Sequence, residues 1–167
     1  GHISNLQRIF PDSYVWMDKF TMKNLELFNS NSLNGFNLSE TIDDTITSMG
    51  SRRLKNWIAF PLVEKKEIKN RQEIVSSIIE DNEVSDLLDI NLNKISDIER
   101  LMSKIATYKI SPRELIHLKN SLESVYEIKQ SLSDVSGTLK SYGKTIPVSN
   151  SIVKEITKTL KEDSPVS

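Results

Sequence analysis

Apolar residues recur at helical spacing through most of the chain. The longest run extends from Ser111 to about Ser133, and its apolar residues are three, four or seven positions apart: Leu115, Leu118, Leu122, Val125 and Leu132. The start of this helix is well marked, because Ser111 can cap it, Pro112 occupies the first helical position and Glu114 can complete a capping box. The pattern therefore predicts a long helix with one buried face.

Shorter segments on both sides of this helix have the same periodicity. Only five glycines and five prolines occur in 167 residues, which favours helices over a turn-rich sheet, and residues 29–37 form a loop by composition. The first predicted segments are a short helix that Asp18 caps and that ends near Leu27, and a turn over 39–44. A helix that Thr47 caps follows and ends before Pro61, and the next helix extends from about Glu64 to Asp81. A helical region over 83–107 and a last helix over about 151–162 complete the prediction.

The segment with the strongest β propensity lies near the start of the chain. Tyr14-Val15-Trp16-Met17 is short and consists mostly of aromatic and β-branched residues, so it predicts a strand. The predicted fold class is therefore mainly α, a multi-helix core domain with one short N-terminal β-strand.

Residues 45–62, TITSMGSRRLKNWIAFPL, combine a polar turn with a helix that has two different sides. Leu54, Trp57 and Ile58 fall on one face, which we expect to be buried against the next helix or the 95–105 segment. Basic residues leave that face, namely Arg52, Arg53 and Lys55. The pattern predicts that Trp57 anchors this helix.

Composition restricts the class of protein. The chain has 22 Lys and Arg against 23 Asp and Glu, a net charge of -1, so its overall charge does not drive binding to nucleic acid or to an anionic membrane. Cysteine is absent, which excludes disulfides and thiolate metal sites. No apolar run approaches the roughly 20 residues of a membrane span. We expect a cytoplasmic chain without a membrane partner.

One stretch is locally basic. From Ser51 to Arg71 there are seven basic residues against Glu64 and Glu67, which leaves a local charge of +5. Such a stretch can contact phosphates, or it can be a solvated helix face whose long side chains cover the core. We favour the solvated helix face, because stacking aromatics are not interleaved with these basic residues, and a phosphate-contacting patch is the alternative.

The tripeptide Gly143-Lys144-Thr145 raises the question of a nucleotide site. A P-loop needs a glycine five residues before its Gly-Lys-Thr, and Thr138 occupies that position. Pro147 follows too closely for the required helix, and no buried strand precedes the stretch. We therefore interpret residues 137–145 as a loop without nucleotide.

The other candidates for chemistry do not form sites in the sequence. His2 and His117 are far apart, and neither has a second His or a carboxylate at ligand spacing. The acidic pairs Asp43-Asp44 and Asp97/Glu99 are interpreted as caps and surface charge. We expect no catalytic, metal or cofactor-binding residue in this chain.

Five ordered segments carry motif-like residues, and together they resemble a known family. They are Tyr14–Asp18 with Thr21–Leu27, Thr45–Trp57 with Pro61-Leu62, Arg71-Gln72, Asp97–Leu101 and Ser111–Leu115. This order, over about residues 13–166, resembles the core domain of the MutS family of bacterial DNA mismatch-recognition proteins. The second segment is similar to Thr-x-Thr-Pro-Met-Gly-x-Arg-x-Leu-x-x-Trp, with Ser48 in place of the usual Pro and Asn56 in place of a usual basic residue.

The resemblance implies two sets of motif positions. The first is expected to form a structural joint: Thr47, Met49, Gly50, Arg52, Leu54, Trp57 and Pro61. The second consists of further motif positions along the chain: Asn24, Leu25, Glu26, Arg71, Asp97, Glu99, Arg100, Ser111, Pro112 and Arg113. Within the joint, we expect Gly50 to permit a close backbone approach.

The resemblance also implies a role without an active site. Residues 1–17 would be the end of a connector segment with the short strand, and 18–167 a helical core domain that stops before the long lever helix and the clamp. Such a domain links the mismatch-binding and clamp parts to an ATPase. The whole protein would use ATP and Mg, bind mismatched duplex DNA and dimerise, and the connector, clamp and ATPase domains would be this segment's partners. A stand-alone helical adaptor that docks partner helices through the Leu115–Leu132 stripe is the alternative.

Overall fold

The computed structural model describes residues 13–160, which are helices joined by short connections. In this range the chain contains α1 (Lys19–Asn24), α2 (Leu38–Ile42), α3 (Ser48–Ala59), α4 (Lys65–Glu80), α5 (Asn82–Leu92), α6 (Ile98–Ala106), α7 (Pro112–Asp134), α8 (Gly137–Thr145) and α9 (Asn150–Thr159). The mainly helical fold class is confirmed. No helix among these residues is both long enough and apolar enough to cross a membrane.

The predicted N-terminal strand is wrong. Tyr14 and Leu62 form an isolated antiparallel bridge, in which the Val15 N–H donates to the Pro61 carbonyl (2.8 Å) and the Val63 N–H donates to the Ser13 carbonyl (3.3 Å). Pro61 has no N–H with which to extend the ladder, and the chain enters α1 soon after the bridge. The β-prone residues therefore pair at one point and do not form a strand.

Helix starts lie where the capping residues predict them. The Asp18 carboxylate accepts the Thr21 N–H at 2.7 Å at the start of α1. Ser111 and Glu114 form the predicted capping box at the start of α7. These bonds join residues only three positions apart, so the local sequence is sufficient to specify them.

Three helical predictions need correction in extent. The last helix ends at Thr159 and not near residue 162, because its C-cap Leu160 has an extended backbone. The region 83–107 is two helices, because Asp97 caps α6 by accepting the Arg100 N–H at 3.2 Å. The first helix stops at Asn24 and not near Leu27, because Glu26 adopts a left-handed conformation with φ of 51°. These last two breaks each end a helix that apolar spacing alone would continue.

Residues 137–145 are helix α8, so the predicted loop is wrong. Leu139 of this helix is 2% exposed and belongs to the hydrophobic core, which supplies a reason for the helix that the polar local sequence does not. The Ile146 carbonyl, just beyond α8, accepts a hydrogen bond from the Lys129 ammonium of α7 at 2.6 Å. Tertiary contacts therefore hold this segment in a helix.

The chain divides into two compact units. Among the described residues, unit 1 comprises 13–44 and 51–72, and unit 2 comprises 45–50 and 73–160. In unit 2, α7 packs against α5, α6, α8 and α9. Its core is an aliphatic cluster, centred on Val84, Ile128, Leu132 and Leu139.

Unit 1 has a different interior. Its buried residues are Leu27, Asn37 and Ser39, and the last two belong to the turn that starts α2. The N–H groups of Leu38 and Ser39 donate to the carbonyls of Glu26 (2.9 Å) and Leu27 (3.0 Å). Unit 1 is thus organised around hydrogen-bonded backbone more than around apolar side chains.

Candidate functional site

The turn that leads into α3 is closely packed around Gly50. The Thr47 hydroxyl oxygen accepts the Gly50 N–H at 3.0 Å, as an N-cap does. A Cβ atom on Gly50 would lie 3.1 Å from that oxygen and 3.2 Å from the Cβ atom of Thr45. A side chain at position 50 would therefore require both threonine side chains to shift.

Two motif residues from different helices meet in unit 1. The guanidinium carbon of Arg71, on α4, lies 3.9 Å from the centroid of the Trp57 ring on α3. Arg53, one turn before Trp57, has its guanidinium carbon 5.9 Å from the same centroid. Both distances are within the range of cation–π attraction, and Arg71 is stacked closely on the ring. We call Arg53, Trp57 and Arg71 the Arg–Trp cluster.

The prediction that Trp57 is buried is wrong. Its side chain is 40% exposed, and Arg53 lies beside it although the sequence placed Arg53 on another face. Among residues 13–160, neither Arg53 nor Arg71 forms an ion pair, and the indole N–H has no hydrogen-bond acceptor. The cluster is therefore a cationic, partly exposed surface and not a packed hydrophobic anchor.

The motif residues Asn24, Leu25 and Glu26 form the end of α1. Asn24 is its last residue, Leu25 is the C-cap, and Glu26 takes the left-handed position that commonly ends a helix. The Glu26 carboxylate accepts the Asn31 N–H at 2.8 Å. These three residues thus shape the chain reversal in front of the loop over 29–37.

The motifs around α6 and α7 also form helix caps. The Ser111 N–H donates to the Glu114 carboxylate at 3.0 Å, and the Glu114 N–H donates to the Ser111 hydroxyl at 3.3 Å. Lys104 of α6 donates to the same carboxylate. The Lys104 ammonium, the Ser111 N–H and the Ser111 hydroxyl lower the pKa of Glu114 to about 2. This cluster ties the end of α6 to the start of α7.

The remaining motif positions occupy surfaces and connections. Pro61 supplies the carbonyl of the bridge to Val15. Half-buried positions are Met49, Leu54 and Pro112, and exposed positions are Arg52, Glu99, Arg100 and Arg113. Asp97 is the N-cap of α6. Most of the motif therefore consists of caps, turns and helix surfaces.

Two kinds of chemical site, a metal site and a nucleotide-binding loop, are not formed by the described residues. No group of three or more His, Asp or Glu residues in 13–160 could hold a metal ion. Gly143 is buried in α8, and a Cβ atom there would lie 2.8 Å from the Cβ atom of Leu132. Gly143 thus lets α8 approach α7 closely, whereas a P-loop glycine lies in a loop around a phosphate.

Sequence reasoning missed three contacts of these residues. They are the stacking of Arg71 on Trp57, the Lys104–Glu114 ion pair and the Asn31–Glu26 hydrogen bond. A usable signal existed for the first, since Trp57 and Arg71 lie in helices separated by the Pro61 break and could meet in a helical hairpin. The side of each helix that faces the other is not encoded in the spacing, so the contact itself was not predictable.

Comparison with known proteins identifies the family. Residues 20–167 match the family MutS domain III. The chain is 41% identical over 167 residues to the DNA mismatch repair protein MutS of Flavobacterium johnsoniae, and 40% identical over 166 residues to that of Christiangramia forsetii. The protein of the same name from Bacteroides thetaiotaomicron is 38% identical over 167 residues.

The extent of these matches is uneven. Each comparison covers 99% of this chain but 19% of the relative. The chain therefore spans about a fifth of the length of the curated relatives it matches. The family match covers most of the described helices, from α1 to α9, and includes both units. On this evidence the chain belongs to the MutS domain III family.

Proposed function

We propose that this chain is the non-catalytic core domain of a DNA mismatch repair protein that recognises mismatched DNA in an ATP-dependent manner. In this role it links mismatch-binding and clamp parts to the ATPase. The observation that carries the proposal is the match of 99% of the chain to one fifth of proteins named DNA mismatch repair protein MutS. The partners in this proposal are the connector, clamp and ATPase domains, mismatched duplex DNA and a second subunit.

The distribution of the motif residues supports a mechanical role. Thr47, Asp97 and Ser111 start helices, and Glu26 ends one. A domain that transmits a displacement needs helices with defined ends, since a frayed end absorbs the movement. In this proposal the helix caps and the Arg71–Trp57 contact serve that purpose.

The alternative, a stand-alone adaptor, is weakened by the burial of its proposed docking stripe. Leu118 and Leu132 of α7 are 2% and 3% exposed. Ile128, on the same helix, is 7% exposed and belongs to the core of unit 2. A partner helix could reach this stripe only after α7 had separated from its neighbours, so we do not favour docking through it.

The test is a domain exchange in a protein that has all the missing parts. The segment of Flavobacterium johnsoniae MutS that matches this chain is replaced by the chain itself, and ATP turnover is measured with matched and with mismatched duplex DNA. We expect the chimera to respond to a mismatch as its parent does, because the inserted domain restores the mechanical link.

A matched chimera controls for the exchange itself. It carries the corresponding segment of Christiangramia forsetii MutS in the same junctions. If this control responds to a mismatch while the folded chimera with the present chain hydrolyses ATP without responding, the linking role is wrong. Folding of both chimeras is checked by their thermal melts.

The isolated chain supplies a second test. We expect no ATP binding tighter than about 100 μM, which corresponds to about 5.5 kcal/mol, in a calorimetric titration. We also expect at most weak, salt-sensitive DNA binding without preference for a mismatch. Tight ATP binding or mismatch preference would assign the chain an activity that this proposal denies it. Three further points stay predictions: the domain boundary between residues 17 and 18, dimerisation and the cytoplasmic location.

A further inference from the structure

The Arg–Trp cluster has donors that its own unit does not use. Arg71 is stacked 3.9 Å from the Trp57 centroid, and Arg53 lies 5.9 Å from it. Stacking engages the flat face of a guanidinium and leaves its N–H groups, which lie in the plane, free to donate. No carboxylate among residues 13–160 pairs with either arginine, and Arg53 is exposed while Arg71 is half-buried.

Acidic residues on the same helix do not neutralise the cluster. Glu67 lies one turn before Arg71 on α4, a spacing at which ion pairs commonly form, yet no ion pair joins them in the described structure. The sequence from Ser51 to Arg71 contains seven basic residues against two acidic ones, and of the seven Arg52 has an interaction partner of its own. The chemistry that complements such a surface is anionic.

The geometry favours a carboxylate ligand over a nucleic acid. Arg71 covers a face of the indole ring, so a base cannot stack there. Arg52 and Lys55 precede Trp57 by five and two residues, spacings that place them on other faces of α3, so neither adds a charge to the cluster. Two planar guanidiniums beside a half-exposed Trp match instead a pair of carboxylates, and Trp and Arg are the residue types that dominate protein interfaces.

We propose that the Arg–Trp cluster is a docking site for an acidic protein segment that presents two neighbouring carboxylates. Each carboxylate accepts the N–H groups of one guanidinium, and the apolar part of the segment covers the exposed remainder of Trp57. The stack on Trp57 holds Arg71 in position before the segment arrives, which reduces the side-chain entropy lost on binding.

The test uses the fluorescence of Trp57 in the 167-residue chain. The chain has two Trp residues, so Trp16→Phe makes Trp57 the only Trp, whose emission is excited selectively over that of the tyrosines. The probe is the capped peptide Asp-Glu-Leu-Asp-Glu, and the neutral control is Asn-Gln-Leu-Asn-Gln. We expect a saturable change in emission with the acidic peptide and none with the neutral one.

Substitutions separate a specific site from general charge. Arg53→Ala and Arg71→Ala should each weaken peptide binding about tenfold, as the loss of a charge-assisted hydrogen bond does. Lys55→Ala removes the same charge from another face of α3 and should leave the affinity within about twofold. Arg53→Lys and Arg71→Lys keep the charge and guard against misfolding, and each should still weaken binding because the planar fork is lost.

Other outcomes would overturn the proposal. One is the absence of saturable binding of the acidic peptide to a folded chain. Another is an equal effect of Lys55→Ala and Arg53→Ala, which would indicate charge without a site. A third is tighter binding of a 20-base-pair DNA duplex than of the peptide, which would make this a phosphate-contacting surface.

Discussion

The two units of this chain are stabilised in different ways. Seven of the eight buried hydrophobic residues in the described structure lie in unit 2, and the eighth, Leu27, lies in unit 1. Unit 1 instead exposes large apolar side chains, including Trp16 at 75%, Phe20 at 79% and Phe36 at 80%. Its organising contacts are the turn at Asn37–Ser39 and the stacking of Arg71 on Trp57.

The difference teaches where each unit is sensitive to substitution. Aliphatic burial contributes energy to every buried methylene, so truncation in unit 2 removes a large term. Caps and stacked cations contribute about 1 kcal/mol each, so no single contact of unit 1 has comparable weight. The helical spacing of apolar residues predicts the buried aliphatic residues of unit 2, but it does not predict the caps and stacked cations of unit 1.

The largest expected effect is in the core of unit 2. Leu118→Ala should lower the free energy of unfolding by about 2–5 kcal/mol, because Leu118 is 2% exposed and its removal leaves a cavity. The control is Leu33→Ala in unit 1, whose side chain is fully exposed and whose truncation should change stability by less than about 0.5 kcal/mol. Denaturant melts of both variants make the measurement. Equal destabilisation would remove the contrast between the units.

A smaller effect tests how closely α8 approaches α7. Gly143→Ala should cost about 1–3 kcal/mol, because the new Cβ atom would lie 2.8 Å from the Leu132 Cβ and 3.0 Å from its backbone carbon. The gain in helix propensity, about 1 kcal/mol, reduces this cost. Lys140→Ala, exposed on the same helix, should be nearly neutral. A stabilised Gly143→Ala variant would mean that α8 packs loosely.

One helix end in each unit has a left-handed residue, and the two should respond differently. Tyr108, after α6, has φ of 54° and is 98% exposed, so Tyr108→Gly should stabilise the chain by about 1 kcal/mol in thermal melts. Glu26→Gly relieves the same strain but loses the hydrogen bond from Asn31, so its net change should be smaller. An equal gain in both variants would show that the Asn31 bond contributes nothing.

The Arg–Trp cluster should contribute less than any core residue. A double-mutant cycle combines Trp57→Phe with Arg71→Ala and measures the coupling energy between the two positions. We expect a coupling energy of about 0.5–1 kcal/mol, which is the part of the cation–π attraction that a Phe ring cannot replace. The same cycle with Lys55→Ala should give none. Coupling above about 2 kcal/mol would mean that Trp57 is a structural anchor of unit 1 after all.

The pH dependence compares a cap in each unit. Thr21, chiefly through its backbone N–H, lowers the pKa of Asp18 in unit 1, and Lys104 and Ser111 lower that of Glu114 in unit 2 to about 2. A carboxyl with a lowered folded-state pKa contributes stability above its unfolded pKa and loses that contribution as pH falls. For Glu114 the loss should occur between pH 4.5 and about 2.

The corresponding variants should flatten this acid dependence. Glu114→Gln should be less sensitive to acid than the parent chain in denaturant melts across that range. Asp18→Asn should show a smaller change because, among residues 13–160, the Asp18 carboxylate has no ionic partner. Parallel acid profiles for the parent and Glu114→Gln would contradict the role of the Lys104–Glu114 pair.

The amino-acid sequence by itself determined the helices that carry their own start signals. Asp18, Thr47 and Ser111 cap helices where predicted, because each bond joins residues three positions apart. The motif segments also indicated the MutS resemblance, which the family match over residues 20–167 confirms. These features depend on neighbours along the chain.

Tertiary structure decided what depends on residues far apart in sequence. Leu139 holds α8 in a helix through the core, Tyr14 and Leu62 meet at a single bridge, and Arg71 stacks on an exposed Trp57. The spacing of apolar residues indicates that a side chain such as Trp57 lies on the apolar face of its helix. Which partner meets that face, and how much of it stays exposed, depends on how helices approach each other, and this spacing does not encode that approach.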